Sequence, residues 1–278
     1  MTETQHDEHV APVEAWDAIA ALYDEHVAPG EVDIATAGLQ LAGLQAGRSF
    51  LDVCAGTGGL SLPAARLGAK VLATDWSPRM IERFEARVAD EGLDAEGRVM
   101  DCHALDVADD TYDVTGSQFG VMLVPDQPQA LREMVRVTKP GGKVLVIAYG
   151  SPAEFEALHV FVAAVQAVVP EFEGPGDEPM LEFQVADPDE LKRRLVDAGL
   201  RDVVVDTSHK ERVEVRTGRQ LWDWCLGGNP IPGMIVSDLT DAQRADVIEV
   251  LDRMVRERAA DNGTAVVSAP LNIGVGTK

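Results

Sequence analysis

One segment constrains this chain more than any other. Ser49-Phe50-Leu51-Asp52-Val53-Cys54 runs directly into Ala55-Gly56-Thr57-Gly58-Gly59. A short apolar run with one acid reads as a buried strand, and the glycines force a tight turn before a helix over about 60–67. Glycine there lets the backbone approach a ligand closely, and the helix start adds N–H donors. The alternation then continues. Lys70 to Asp75 is a second strand ending on an acid, and Ser77-Pro78 supplies an N-cap and a first-turn proline for a helix to about Ala89. Gly97 to Asp101 and Tyr112 to Ser117 read as third and fourth strands. A helix over 127–138 ends at the turn Lys139-Pro140-Gly141-Gly142, and Lys143 to Tyr149 is a fifth strand. Strands and helices alternating at this pace predict right-handed crossovers, so 50–150 is read as a doubly wound α/β unit with a mainly parallel sheet.

The flanks differ. Residues 1–12 are polar and acidic and read as a flexible tail. Apolar residues from Val13 to Val27 recur at helical spacing, and a second helix is expected over 32–45. Beyond 150, Ser151-Pro152-Ala153-Glu154 reads as a capping box opening a helix to about Val169, and Thr240-Asp241-Ala242-Gln243 as a second one. Val203-Val204-Val205 starts a strand that Val213-Glu214-Val215 extends past a break, and a last strand falls within 264–276. With no clean linker, 13–278 is read as one domain: a core at about 48–150, cap elements at about 151–262, and the last strand. The 278 residues hold 24 Lys+Arg against 47 Asp+Glu, a formal charge of −23. That balance opposes a phosphate backbone or an anionic membrane surface. No apolar run approaches the ~20 residues of a membrane span, and the first residues lack a signal-peptide pattern. A cytoplasmic location is expected.

Two ligands compete for the glycine turn. With Cys54 in the first glycine's place, the pattern nearly matches a dinucleotide fingerprint, and Asp75 lies where that fingerprint wants a ribose-binding acid. The alternative is S-adenosylmethionine. Asp52 lies inside the strand, two residues before the turn, where a carboxylate repels a pyrophosphate but suits a phosphate-free cationic donor. Val99-Met100-Asp101-Cys102 ends the third strand with a further acid, suited to an adenine amino group. The helix-to-strand turn at 139–142 completes the set. The Tyr-x-x-x-Lys of short-chain reductases is absent: Tyr23, Tyr112 and Tyr149 have no Lys four residues on.

Read together, these residues resemble the class I S-adenosylmethionine-dependent methyltransferases. Residues 51–58 look like their first motif, 73–80 like the ribose-and-adenine motif, and Asp101-Cys102 like the adenine-edge pair. Ser117-Gln118-Phe119-Gly120 matches the fourth-strand motif and Lys139-Pro140-Gly141-Gly142 the turn before the fifth strand. Within the family the chain is most similar to the small-molecule branch that includes ubiquinone and menaquinone C-methyltransferases, whose N-terminal helix Trp16, Tyr23 and His26 resemble. Cys54 departs from the usual glycine. The resemblance covers about 13–150. It implies a seven-stranded Rossmann-like sheet with helical cap insertions, and S-adenosyl-L-methionine as cofactor. It further implies methyl transfer to a small, partly apolar molecule, a quinone precursor or secondary metabolite, at carbon or oxygen. An NAD(P)-dependent reductase and a non-catalytic S-adenosylmethionine-binding protein stay as alternatives.

The resemblance also implies roles. Asp52, Cys54, Ala55, Gly56, Thr57 and Gly58 would surround the methionine part, with Tyr23 folded over the cofactor. Asp75 would take the ribose hydroxyls, Trp76 and Met80 would pack on adenine, and Asp101 and Cys102 would hold its edge. Ser117, Gln118 and Phe119 would lie beneath the methionine moiety. No catalytic residue is fixed. His26, Tyr23 and His159 are the candidates for a proton carrier, and each also reads as an ordinary helix or packing residue. His159, Phe172 and Trp222 are the candidates for the substrate side, against a plain reading as cap core. No metal is expected; His6 and His9 share a helical face but lie in the acidic tail. Cys54 and Cys102 both fall at strand ends and are expected as free thiols. The expected partner is a small-molecule substrate, with no nucleic acid and no membrane insertion; a homodimer is left open.

Overall fold

The computed structural model describes residues 11–172, 174 and 180–278. His6 and His9 lie outside the described residues. Eight strands are present among those described: β1 (Ser49–Val53), β2 (Lys70–Asp75), β3 (Ala95–Val99), β4 (Tyr112–Gln118), β5 (Thr138–Tyr149), β6 (Arg201–Asp206), β7 (Lys210–Val215) and β8 (Ala265–Thr277). Seven form one path in the order β3-β2-β1-β4-β5-β8-β6. The pairs from β3 to β5 are parallel, with Leu51 beside Leu72 and Thr115, and Ser117 beside Val146. The strand β8 runs antiparallel between β5 and β6. Because β2 and β3 lie to one side of β1 and β4 to the other, a crevice opens at the carboxyl ends of β1 and β4, the switch point where such sheets bind ligands.

The eighth strand was not expected. The segment around Val213 does not extend β6; it is β7, a separate strand paired only with the first half of β8, Val213 opposite Val267. A 13-residue β8 therefore serves two neighbourhoods, since a strand of that length outreaches the sheet. Two large apolar clusters follow. One lies about the sheet, with Phe50, Leu51, Met134, Leu145 and Ile147 buried. The other joins Phe161, Leu221, Trp222, Leu251 and Val267 in the cap.

The helices are α1 (Val13–Leu22), α2 (Val32–Leu41), α3 (Ser61–Arg66), α4 (Pro78–Glu91), α5 (Gln127–Val137), α6 (Glu156–Val168), α7 (Pro188–Asp197), α8 (Gly218–Gly228), α9 (Pro230–Ile235) and α10 (Asp241–Arg258). Ser77 caps α4 by accepting from the Met80 N–H at 3.1 Å, and Gly92 ends it at φ 64°. Thr240 and Gln243 form the capping box of α10. The capping box expected at Ser151 does not form: Pro152–Glu154 is a single 3₁₀ turn, and α6 begins after Phe155, whose φ −82° and ψ 88° are not helical. After α1 the chain widens into a π turn over Tyr23–Val27 and tightens into a 3₁₀ turn over Ala28–Glu31. Such mid-helix irregularities re-aim side chains and recur at functional sites. No helix among the described residues is long and apolar enough to cross a membrane.

Candidate active site

The crevice at the ends of β1 and β4 opens into a cavity of about 310 Å³. Its floor is the β1–α3 turn and the end of β4. Both strands leave the sheet through a residue in the left-handed region, Cys54 at φ 57° and Phe119 at φ 56°. That conformation strains a side chain with a Cβ, which is why glycine is the favoured residue at such a position as Cys54. Gly58 stands at φ 98°, and a Cβ there would lie 2.5 Å from the Phe84 ring, so it has no room for a side chain.

Asp75, at the end of β2, is buried. One carboxylate oxygen accepts the Gly56 N–H at 2.9 Å and the other the Ser77 N–H at 2.9 Å. It thereby fixes the glycine turn and the start of α4 together. Burial pushes its pKa up, against the opposing pull of those backbone donors. Trp76 is 43% exposed at the cavity mouth, while Met80 lies beneath it, fully buried. Met100 to His103 line the same end. The Asp101 carboxylate faces its own neighbour, accepting the His103 N–H at 2.9 Å and lying 2.7 Å from its Nδ1. Asp101, Cys102 and His103 bring ligand atoms within 4.8 Å of one another, though the acid and the ring are already paired. Cys54 and Cys102 are neighbours, and the Cys102 thiol together with burial raises the Cys54 pKa.

The cavity wall thus brings together Tyr23, Cys54, Gly56, Asp75, Trp76, Met80, Asp101, Cys102, Gln118 and Phe119. It does not include Asp52, Ala55, Thr57, Gly58 or Ser117. These turn into the layer beneath the loop. The Asp52 carboxylate accepts from the Ser61 hydroxyl at 2.6 Å, and burial lifts its pKa to about 7. The Ser117 hydroxyl accepts the Val121 N–H at 3.1 Å. Asp52 is thus held under the turn through one oxygen, and its other oxygen is buried with no hydrogen-bond partner among the described residues.

The substrate-side assignments are also corrected. Trp222 is 5% exposed and tilts against Phe161 at 5.7 Å inside the cap core; its neighbour Trp224 faces the cavity instead, because consecutive helical side chains point to different faces. Phe172 packs on that same core, and His159 is exposed on α6, whose Leu158 and Phe161 line the cavity together with Phe155 just before the helix. His26 does not reach the wall; Tyr23 does.

Sequence reasoning missed two acids. The Tyr23 hydroxyl donates to Glu31 at 2.8 Å, and the Tyr149 hydroxyl donates to Glu211 at 3.0 Å. Glu31 is 2% exposed and Glu211 3%. Burial lifts Glu31 to about 7, less the stabilising bond from Tyr23. Burial and the charge of Glu31 lift Glu211 to about 8. Both tyrosines are pushed well above the ordinary phenol value, first by burial and then by these acids. Glu211 alternates with Val213 and Val215 along β7, a faint signal; Glu31, after Pro29-Gly30, looked like a loop acid.

Residues 50–142 match the methyltransferase domain model. The sheet and its helices have the Rossmann-like fold shared with solved methyltransferase structures. It is 44% identical over 108 residues to an uncharacterized protein of Mycobacterium tuberculosis, covering 39% of each chain. It is 32% identical over 158 residues to the ubiquinone/menaquinone biosynthesis C-methyltransferase of Hahella chejuensis, 54% of this chain and 63% of that one. The matches thus span 39% to 63% of the length of these curated relatives. Among solved structures, phosphoethanolamine N-methyltransferase 2 of Haemonchus contortus, in complex with S-adenosyl-L-methionine, shares the fold. Its TM-score is 0.55 at 18% identity, over 88% of this chain and 52% of that one.

Proposed function

We propose that this protein transfers a methyl group from S-adenosylmethionine to a small, partly apolar acceptor. One observation carries the reading: the cavity at the switch point is walled by Glu31, Asp75, Asp101 and Glu182, with no Lys or Arg among the described lining residues. A dinucleotide would bring its pyrophosphate against those acids. A donor with a sulfonium and an ammonium, and no phosphate, suits them. The residues fit that donor. Asp75 would take its ribose hydroxyls, Trp76 and Met80 would pack on adenine, and Cys102 would lie at the adenine edge with Asp101. Tyr23, Glu31 and the Gln118 amide would face its amino-acid end.

S-adenosylmethionine supplies an activated methyl group whose leaving group is a neutral thioether. The protein's part is alignment and exclusion of water. Phe119, Tyr149, Phe155 and Trp224 give the cavity an apolar wall. The name of the Hahella relative supports a quinone precursor as acceptor, as does the family resemblance. The test is an assay of a metabolite extract with labelled methyl donor and mass spectrometry of the product. Label in a small-molecule product supports the reading; donor binding without turnover on any extract supports a non-catalytic binding protein instead.

A further inference from the structure

The acceptor side of this cavity has a chemistry of its own, and the inference from it rests on the methyl-transfer reading. Phe119 stacks on Tyr149 with centroids 4.7 Å apart and planes at 19°. Phe155 tilts against Tyr149 at 4.7 Å, and Phe183 meets Phe155 edge-on at 6.1 Å. Behind this aromatic wall stands a carboxyl group: Tyr149 donates to Glu211, which β7 carries in from the cap. Tyr23 and Glu31 form the matching pair from the N-terminal turns. That pair and the Gln118 amide beside it lie toward the donor's amino-acid end, which leaves Tyr149 and Glu211 for the acceptor.

A buried carboxyl is normally paired with a cation, and Glu211 takes the Tyr149 hydroxyl instead. Aromatic faces attract cations, and more so when water is excluded. An anionic acceptor finds no Lys or Arg among the described lining residues. A protonated amine meets the ring faces, with Glu211 one hydrogen bond behind the Tyr149 hydroxyl.

We propose that the acceptor is an apolar molecule bearing an amine, which enters as its ammonium form against Tyr149 with Glu211 as counter-charge. A cation opposite Glu211 favours its ionised form. An N–H proton of the ammonium passes to the Tyr149 oxygen as the hydroxyl proton of Tyr149 passes to Glu211. The freed nitrogen lone pair forms the N–CH₃ bond. The methyl–sulfur bond breaks with its electron pair left on sulfur, giving a neutral thioether. The product leaves as a methylated ammonium; Glu211 keeps the amine's proton, which restores its protonated state in the free chain, the net proton having gone to solvent when the ammonium bound.

The test uses three probes of one shape: 2-phenylethylamine, 2-phenylethanol and 3-phenylpropionate. Each is titrated calorimetrically into the full chain saturated with S-adenosylhomocysteine. The amine is expected to bind at least tenfold more tightly than the alcohol or the carboxylate. Glu211→Gln, which keeps the shape and removes the charge, is expected to bring the amine down to the alcohol's affinity while S-adenosylmethionine affinity stays within threefold. Equal binding of the three probes, tighter binding of the carboxylate, or no measurable amine binding overturns the proposal, and none of these results depends on a variant folding. An amine preference untouched by Glu211→Gln overturns the role of Glu211. Failure of the unmodified chain to bind S-adenosylmethionine counts against the methyl-transfer reading instead, and is measured separately.

Discussion

Replacing Glu211 by Gln should make the folded chain more stable at neutral pH and less sensitive to pH. The carboxyl lies at about 8 in the folded protein against an ordinary 4.5, because it is buried beside Tyr149 and feels Glu31. The folded pKa is the raised one. The stability associated with Glu211 is therefore fully present below the unfolded pKa and is lost as pH rises towards about 8. Through that window the folded chain holds one proton that the unfolded chain has released, which tilts the unfolding free energy by about −1.4 kcal/mol per pH unit. Between pH 5.5 and 7.5 that is about 2.7 kcal/mol. Glu31 and Asp52, both near 7, add slopes of the same sign over most of this range. Gln keeps an oxygen to accept from Tyr149 and cannot ionise. Urea unfolding at pH 5.5, 6.5 and 7.5 should show the variant's stability falling less steeply than the unmodified chain's by about 1.4 kcal/mol per unit. Parallel slopes would refute the claim that Glu211 is buried and protonated.

Other variants separate loop-building from ligand contact. Asp75→Asn replaces one of two acceptor oxygens by a donor facing a buried N–H. It should weaken S-adenosylmethionine binding tenfold or more and cost about 1–3 kcal/mol in denaturant unfolding. Asp52→Asn should leave S-adenosylmethionine affinity within about threefold (about 0.7 kcal/mol) in calorimetry, while also flattening the pH dependence of stability. Gly58→Ala should destabilise the fold and weaken S-adenosylmethionine binding together, since neither the backbone conformation nor the Phe84 ring admits a Cβ. Trp222→Ala should cost about 3–5 kcal/mol of stability, whereas Trp224→Ala should act mainly on binding of an acceptor, read by calorimetry with the phenyl probes.

The half of the site built on β1, β2 and β4 was legible because its residues sit at strand ends, where local pattern and ligand geometry coincide. Asp75 could be placed there from its spacing to the glycine turn, and Trp76 and Gln118 from the family resemblance. Asp52 could not: a strand residue two positions before a turn faces the layer beneath it, and only the Ser61 partner shows that. The cap was less readable. Trp222 and Trp224 are two apart on one helix, so one must turn from the cavity when the other faces it, and sequence does not say which. Glu31 and Glu211 were missed because each is brought in by non-local packing, one by a π turn followed by a 3₁₀ turn, the other by an eighth strand that exists only because β8 runs long.

The central claim is that the crevice between β1 and β4 holds S-adenosylmethionine. Calorimetric titration of the purified chain with S-adenosylmethionine, S-adenosylhomocysteine and NADH in parallel tests it most directly. Saturable binding of the first two at one site per chain, in competition with each other, and no heat from NADH is the predicted result. NADH binding with no S-adenosylmethionine binding would contradict it.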